Sequence, residues 1–155
     1  MEEGNSKMEI KILQTEEVPK AVQLARGVFE YCLRNTINEA QLIESFYTYV
    51  REENIRQLME TQKLTIWAAY DEQNNMVAVS GMQSEGHITL LYVMPYYQRR
   101  GYGKKLLLTM REYAREKLEL AQVTVNAMPA WTASYFAKNK FKAVQNPQSV
   151  PYVFM

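Results

Sequence analysis

Apolar and polar residues near the start of the chain alternate first at the period of a strand and then at the period of a helix. Residues 8–13, MEIKIL, alternate one by one and predict a short strand. Residues 18–29 carry apolar side chains at helical spacing, and a second run of this kind, from 39 to 59, predicts a longer helix. A strand followed by two helices therefore opens the chain.

The middle of the chain contains three runs that are rich in β-forming residues. Residues 65–70 (TIWAAY) and 76–82 (MVAVSGM) are separated by DEQNN, a cluster of residues that favour turns. A second turn at 83–86 leads into residues 87–93, HITLLYV. The pattern predicts three antiparallel strands that lie side by side.

The last part of the chain alternates helices and strands. Residues 101–118 form an amphipathic helical pattern, whose apolar stripe is expected to pack on the sheet. The segments that follow are a strand at 122–126, a helix from Pro129 to about Lys140, and strands at 141–144 and 151–154. The predicted order is β-α-α-β-β-β-α-β-α-β-β, which indicates an α/β (α+β) fold with a central sheet flanked by helices.

Composition narrows the class of protein. With 155 residues, of which 47% are hydrophobic, the chain is expected to form a single domain over 1–155, with residues 1–7 as a candidate flexible tail.

The lone Cys32 has no partner for an internal disulfide. No His/Cys cluster indicates a metal site, so no bound metal is expected. The amino terminus is unlike a signal peptide, and no apolar run approaches the roughly 20 residues that span a bilayer. We therefore expect a cytoplasmic protein.

Net charge argues against nucleic acid as a partner. Eighteen basic and seventeen acidic residues give a net charge of +1, whereas non-specific binding of nucleic acid requires a strongly basic domain. Any site for an anion must therefore be local. Positive charge gathers in residues 98–105, QRRGYGKK.

The stretch from 90 to 114, LLYVMPYYQRRGYGKKLLLTMREYA, passes from a strand through a glycine-containing turn into a helix. Such a turn leaves several backbone N–H groups unpaired, and the helix dipole adds partial positive charge, so phosphate is expected to bind. The P-loop pattern does not match, because one residue separates Gly101 from Gly103 and Lys105 leads into leucine. The dinucleotide pattern would need glycine where Leu106 stands.

The segment from Val93 to Gly103 resembles the acetyl-CoA motif of the GNAT family of N-acetyltransferases, [Q/R]-x-x-G-x-[G/A] after a strand that ends in V-x-P. The strand end, the proline, the spacing and the following helix all agree, and the predicted order of elements is similar to that of the family. The resemblance covers the chain from about Met8 to Met155. It implies the GNAT fold, with a mixed and mostly antiparallel central sheet, and acetyl-CoA as co-substrate.

In that family, the strand before the motif and the loop after it bind the cofactor. The resemblance implies that residues 91–93 meet the pantetheine and the acetyl carbonyl, while main-chain N–H groups from Arg99 to Lys104 wrap the pyrophosphate. Asn126 stands where the family often places an asparagine that touches the pantetheine. The basic side chains either screen phosphates or only solvate the helix start. The candidate cofactor residues are Leu91, Tyr92, Val93, Gln98, Arg99, Arg100, Gly101, Tyr102, Gly103, Lys104, Lys105, Asn126 and Phe136.

Acetyl transfer to an amine needs a base or a water chain, because an ammonium group has no lone pair. His87 is the only histidine. Because alternate residues of a strand share one face, His87 is expected on the side of positions 91 and 93, which are implied to reach the acetyl group. Glu85 and Glu44 are rival bases, and a water-exposed histidine at the strand end is the alternative for His87.

The end of the chain departs from the family pattern F-Y-x-x-x-G-F, whose tyrosine often protonates the leaving thiolate. Residues 135–141 read YFAKNKF, so Phe136 stands at the tyrosine position and Lys140 at the glycine position. Phe136 is expected to form a wall beside the cofactor sulfur. The adjacent Tyr135 is expected to point away, because neighbouring helical positions differ by about 100°. Tyr135 becomes the candidate acid if the register of this helix differs.

Several aromatic residues are candidates for an acceptor pocket, although residues at helical spacing more often belong to the core. They are Tyr31, Phe46, Tyr47, Tyr49 and Tyr152.

These patterns and the resemblance together predict an acetyl-CoA-dependent N-acetyltransferase that works by direct transfer in a ternary complex. Two alternatives stay open: a module that binds a CoA thioester without catalysis, which Phe136 favours, and a small nucleic-acid-binding domain, which the net charge disfavours. The acceptor is expected to be a small-molecule or peptide amine of unknown identity. We expect no nucleic-acid or membrane partner, and either a monomer or a homodimer.

Overall fold

A computed structural model of the chain describes residues 8–126, 132–144 and 152–154. The strands are β1 (Glu9–Ile12), β2 (Leu64–Tyr70), β3 (Met76–Gln83), β4 (His87–Val93), β5 (Thr124–Asn126), β6 (Lys142–Val144) and β7 (Tyr152–Phe154). The α-helices are α1 (Val18–Val28), α2 (Ala40–Tyr49), α3 (Glu52–Glu60), α4 (Tyr102–Glu116) and α5 (Ala133–Lys138).

All of these strands belong to one sheet, in the order β1-β2-β3-β4-β5-β7-β6. Only the pair β4–β5 is parallel, and the other neighbouring pairs are antiparallel. This arrangement confirms the predicted mixed, mostly antiparallel sheet with flanking helices. The three central strands lie side by side, as the turn residues between them predicted.

Helices cover both faces of the sheet and divide the core into two clusters. On one face, α4 buries Leu106, Leu107 and Met110 against the sheet. On the other face, α1 and α3 bury residues such as Val22 and Ile55. Complete burial of one such aliphatic side chain contributes roughly 1.5–3 kcal/mol, so each face holds its helices firmly.

The single long helix predicted over 39–59 is wrong, because the chain breaks there into α2 and α3. Arg51 between them is extended, with φ −67° and ψ 140°. The side-chain amide of Asn54 donates to the carbonyl of Tyr49 at 2.7 Å and satisfies the end of α2. Apolar side chains of both helices pack on the same core cluster, so the apolar periodicity continues through the break.

The other helices differ from prediction mainly at their ends. The chain continues from α1 into a π-helical turn, Phe29–Leu33, and a 3-10 turn, Arg34–Thr36. The predicted helix start at Pro129 and the candidate tail 1–7 lie outside the described residues. In the part of the chain that the structure describes, no helix is both long enough and apolar enough to cross a membrane.

Candidate functional site

Strands β4 and β5 separate shortly after they begin to pair. Their parallel pairing comprises His87 with Thr124 and Ile88 with Val125, whereas β4 continues to Val93. Among the described residues, no strand pairs with the remainder of β4 on that side. A gap therefore opens between the two strands, with the edge of β4 along one wall.

The backbone of β4 presents polar groups to this gap. The N–H of Met94 donates to the carbonyl of Val77 on β3 at 2.9 Å, and Ala78 lies opposite Val93. Because backbone groups alternate along a strand, the N–H groups of Val93 and Leu91 point to the other edge, into the gap. Two of the residues implied to meet the pantetheine thus offer backbone donors there.

A bulge in β4 changes which side chains share a face. Gly81 on β3 lies opposite Leu90, but its neighbour Met82 lies opposite Ile88, so Thr89 is an extra residue. Ile88 therefore packs in the cluster beneath α4, while Leu90 packs in the opposite cluster beneath α1.

The bulge overturns the expectation that His87 shares a face with residues 91 and 93. Leu91 and Val93 pack against the α4 cluster together with Ile88. Since neighbouring strand residues point to opposite faces, His87 points to the α1 side. Simple alternation failed because it assumed a regular strand, and one inserted residue inverts every later side chain.

His87 lies half-buried at the start of β4, and its Nδ1 is 2.7 Å from the hydroxyl oxygen of Thr124 on β5. Burial lowers the pKa of His87 below its ordinary value, and the negative charge of Glu85 opposes that shift in part. The neutral imidazole therefore prevails at neutral pH. Further along the same face, the hydroxyl of Thr89 hydrogen bonds with that of Tyr49 at 2.9 Å.

Asn126 ends β5 at the point where the strands part. Its side-chain carbonyl oxygen is buried and accepts no hydrogen bond from the described residues. An unsatisfied buried acceptor is costly. A ligand N–H in the gap would satisfy it, which fits an amide of a pantetheine chain.

The loop after β4 forms the second wall of the site. Gln98 donates from its side-chain amide to the carbonyl of Val93 at 2.8 Å, so the loop folds back on the strand end. Arg99 and Gly101 then take positive φ values of 64° and 90°. Glycine adopts this backbone without the strain that a side chain would add, which explains its use at position 101.

Helix α4 begins directly after Gly101. The first backbone hydrogen bond into the helix runs from the N–H of Lys105 to the carbonyl of Gly101 at 3.0 Å. The N–H groups of residues 102–104 precede that bond and carry the positive end of the helix dipole. Such donors suit a pyrophosphate, and the phosphate site that the glycine-containing turn indicated stays a prediction.

The basic side chains around this loop differ in their surroundings. The guanidinium of Arg100 lies 4.5 Å from the ring centroid of Tyr96 and 5.6 Å from that of Tyr97. Arg100 thus braces the loop from outside by cation–π contacts. The side chains of Lys104 and Lys105 are exposed at the helix start, where they can approach a phosphate.

Helix α5 turns Tyr135 towards the first turn of α4 and Phe136 into the core. A Cβ atom added to Gly103 would collide with the hydroxyl of Tyr135 and lie 3.9 Å from Val93. Phe136 is 7% exposed and packs edge-on against Phe141 in the core. The expectation that Tyr135 points away is therefore wrong, because the more apolar ring of Phe136 takes the core position. A place for Phe136 beside the cofactor sulfur stays a prediction.

Lys140 preserves the backbone that the family pattern provides with glycine. It has φ 75°, and its N–H donates to the carbonyl of Ala137 at 3.2 Å. The next N–H, of Phe141, donates to the carbonyl of Phe136 at 3.1 Å. These two bonds form a Schellman motif, which ends α5 and seats Phe141 in the core.

The remaining candidates from the sequence are spread over the α1 side and the surface. Phe46 stacks on Phe29 with ring centroids 3.9 Å apart and meets Tyr92 edge-on at 5.8 Å. Tyr31 is 78% exposed, whereas Tyr47 donates to Glu30 at 2.7 Å. Glu44 is exposed on α2 and Glu85 in the turn before β4. No side-chain position is described for Tyr152.

One contributor to the site carries no local signal in the sequence. Thr124 contacts His87 only because β4 and β5 pair. Tyr49 was a candidate for the acceptor pocket, but its contact with Thr89, across 40 positions of the chain, was not predicted. Within the described residues, no group of three or more His, Cys, Asp or Glu side chains could hold a metal ion.

Comparison with known proteins gives a family and several structures of similar fold. The family model described as acetyltransferase (GNAT) domain matches residues 33–153. No curated protein sequence matches the chain. The structure is similar to PaiA N-acetyltransferase from Thermoplasma acidophilum in complex with coenzyme A, with a TM-score of 0.79 and 18% identity over 95% of this chain and 97% of that one.

Two further structures support the same fold. A GNAT-family acetyltransferase from Staphylococcus aureus Mu50 has a TM-score of 0.75 at 14% identity, covering 95% of this chain and 97% of that one. A mutant of the spermidine N-acetyltransferase SpeG from Vibrio cholerae has a TM-score of 0.66 at 12% identity, covering 97% of this chain and 94% of that one. At such low identities the likeness concerns the fold.

Proposed function

Since the chain belongs to the acetyltransferase (GNAT) family, whose members use acetyl-CoA as co-substrate, we propose that it is an N-acetyltransferase. It transfers the acetyl group to the amine of an acceptor directly, in a ternary complex. The observation that carries the proposal is the gap between β4 and β5 beside the N-terminus of α4. Backbone donors lie on the β4 edge and at the helix start, where Gly103 lies close to Val93 at the end of β4.

The residues around the gap fit the parts of acetyl-CoA, which when bound supplies an acyl group activated as a thioester. The N–H groups of residues 102–104 would hold the pyrophosphate, with Lys104 and Lys105 close enough to screen its charge. The N–H groups of Leu91 and Val93 and the side-chain oxygen of Asn126 would hold the pantetheine amides. The backbone N–H groups at the start of α4 and on the free edge of β4, and the side-chain oxygen of Asn126, have no hydrogen-bond partner in the described part of the chain, so a bound cofactor would supply one.

We propose His87 as the base that accepts the proton of the acceptor amine, directly or through water. In the tautomer whose Nδ1–H donates to the hydroxyl oxygen of Thr124, the lone pair of the neutral ring lies on Nε2, which would receive that proton. The lowered pKa keeps the ring neutral when the reaction begins. On the α1 side, His87 and Thr89 together mark where the amine would approach.

Tyr135 is our candidate for the acid that protonates the departing thiolate. Its hydroxyl lies against Gly103 in the first turn of α4, and Gly103 in turn lies close to Val93 at the end of β4. Burial raises the pKa of Tyr135, so the phenol keeps its proton at neutral pH. An aromatic wall formed by Phe46 and Tyr92 would border the acceptor.

The family match over residues 33–153 supports one catalytic domain for the chain. The single Cys32 supports a reducing, cytoplasmic setting. The acceptor is a small-molecule or peptide amine, and we propose that the enzyme acts as a monomer or homodimer.

Release of free thiol from acetyl-CoA in the presence of a panel of amines tests this function. We expect release that depends on both the protein and one class of amine, with the acetylated amine as the second product. If acetyl-CoA binds by calorimetry but no amine in a panel of polyamines, amino acids and peptides raises thiol release, the chain is instead a non-catalytic CoA-thioester-binding module.

A further inference from the structure

Asp71, in the turn between β2 and β3, holds that turn and the cofactor loop with one carboxylate. Its Oδ1 accepts the N–H groups of Gln73 at 3.0 Å and Asn75 at 2.9 Å. Its Oδ2 accepts the hydroxyl of Tyr97 at 2.8 Å. Asp71 is only 8% exposed, so these bonds are largely shielded from water.

Tyr97 connects Asp71 to both sides of the proposed pyrophosphate site. It immediately precedes Gln98, whose side chain ties the loop to the end of β4. Its ring lies edge-on to that of Tyr102, the first residue of α4, with centroids 5.9 Å apart. The guanidinium of Arg100 lies over the same ring. A movement of this ring would therefore disturb residues before and after Gly101.

The protonation states of Asp71 and Tyr97 at neutral pH favour the hydrogen bond between them. The N–H of Asn75 first, and then the hydroxyl of Tyr97 among other donors, lowers the pKa of Asp71 below its ordinary value. The same bond is the main cause that raises the pKa of Tyr97. At neutral pH an ionised carboxylate therefore accepts from a protonated phenol, which is a charge-assisted hydrogen bond.

We propose that Asp71 and Tyr97 are positioning residues for acetyl-CoA, which act by fixing the N-terminus of α4 through the ring of Tyr97. Neither residue needs to contact the cofactor. The pair sets how the N–H groups of residues 102–104 are aimed, and so it controls affinity for the pyrophosphate. This inference rests on the proposed acetyl-CoA site.

Calorimetric titration with CoA tests the pair, with Tyr97→Phe as the variant and Tyr96→Phe as the matched control. Tyr97→Phe removes one hydroxyl and keeps the ring contacts. Tyr96 is 72% exposed and its ring contacts Arg100. We expect Tyr97→Phe to raise the Kd for CoA by about 3- to 10-fold, a part of what a hydrogen bond to a charged group contributes. Tyr96→Phe should stay within twofold of wild type.

Steady-state kinetics separate positioning from a general loss of structure. In Tyr97→Phe we expect the KM for acetyl-CoA to rise by the same factor, while kcat and the KM for the amine change less than twofold. Asp71→Asn keeps an oxygen for the turn N–H groups, but its amide N–H can only donate to the Tyr97 hydroxyl. A neutral hydrogen bond then replaces the charge-assisted one, so the Kd should rise, although less than in Tyr97→Phe. In the double variant the two effects should not add, because both act on the same contact.

Three outcomes decide the matter. A Kd for CoA in Tyr97→Phe equal to that of Tyr96→Phe overturns the proposal, even if thermal unfolding shows lower stability. Should Tyr97→Phe fail to fold, an unchanged Kd in folded Asp71→Asn overturns it equally. Failure of the wild-type protein to bind CoA would appear before any variant is made, and it would refute the cofactor site itself.

Discussion

At the scale of single residues, the bulge at Thr89 decides which groups can act on the same molecule. Because of it, His87 faces the α1 side together with Thr89, while the side chains of Leu91 and Val93 face α4. Only the backbone of the later β4 residues reaches the gap. In the proposed function, the side-chain base on one face would therefore serve the acceptor, and the backbone at the edge of β4 would hold the cofactor.

Replacement of His87 by alanine tests the base. We expect kcat to fall roughly 100-fold or more, within the usual contribution of a general base, while the Kd for CoA changes little. In the wild type, kcat/KM should rise with pH along a limb whose midpoint lies below 6.5, because burial lowers the pKa of His87. This ascending limb corresponds to loss of a proton from the His87 imidazolium, so kcat/KM falls when the pH is lowered and the imidazole is protonated.

Glu85→Gln is the control for the rival base. Its carboxylate opposes the lowering of the His87 pKa, so its removal should move the limb to slightly lower pH with kcat nearly unchanged. A wild-type pH profile and rate in His87→Ala, or a collapse of kcat in Glu85→Gln, would assign the proton to another group.

Tyr135→Phe tests the proposed acid. We expect kcat to fall only about 3- to 10-fold, because an alkyl thiol with a pKa of about 8.5 leaves readily as thiolate. Thiol release at saturating acetyl-CoA measures this change. No change in kcat would mean that the phenol only lines the opening.

Phe136→Tyr is the matched variant on the same helix. Because Phe136 is buried among apolar rings, the added hydroxyl should lower the free energy of unfolding by about 1–3 kcal/mol without raising kcat. A rise in kcat would show that position 136 does reach the cofactor sulfur.

At the scale of elements, the end of α5 forms a Schellman motif although lysine, not glycine, stands at its left-handed position. The Schellman bonds and the contact between Phe136 and Phe141 keep Lys140 at φ 75°, although its side chain disfavours that backbone. The left-handed conformation costs a residue with a Cβ roughly 1–2 kcal/mol. The surrounding bonds outweigh this cost.

Lys140→Gly should therefore stabilise the protein. Relief of the left-handed strain exceeds the extra entropy of glycine in the unfolded chain, and we expect a net gain of about 0.5–1 kcal/mol. Differential scanning calorimetry measures the change as a higher Tm. Lys138→Gly, inside α5, is the control and should destabilise by about 1 kcal/mol. A lower Tm in Lys140→Gly would show that the lysine side chain itself stabilises the turn.

Elements with strong local patterns were predictable from the sequence, and features set by pairing were not. The central strands and α4 follow from period and turn residues, and the turn at Gly101 that leads into α4 follows from the glycines at 101 and 103. The helix break at Arg51 was not predicted, because the apolar periodicity of α2 continues into α3. The bulge at Thr89 and the partner of His87 depend on neighbouring strands, and no pattern within β4 encodes them.

At the scale of the whole molecule, the sheet carries different helices on its two faces, and the proposed sites for acetyl-CoA and for the acceptor meet at the gap. Helix α4 presents its N-terminus on one side, and α1 with α2 supplies aromatic and polar side chains on the other. The gap between β4 and β5 is where both sides meet. In the proposed function, acceptor and acetyl-CoA would be bound there together, as direct transfer requires.

The lone Cys32 offers a direct test of this ternary mechanism. An acyl-enzyme route would need a nucleophile, and Cys32 lies close to the loop, with its sulfur 3.6 Å from the side-chain nitrogen of Gln98. For direct transfer, Cys32→Ala should keep kcat within about twofold, since a residue outside the transition state adds little to it. Initial rates at varied acetyl-CoA and amine should give intersecting reciprocal plots. Parallel plots together with an inactive Cys32→Ala would instead establish transfer through an acetylated cysteine.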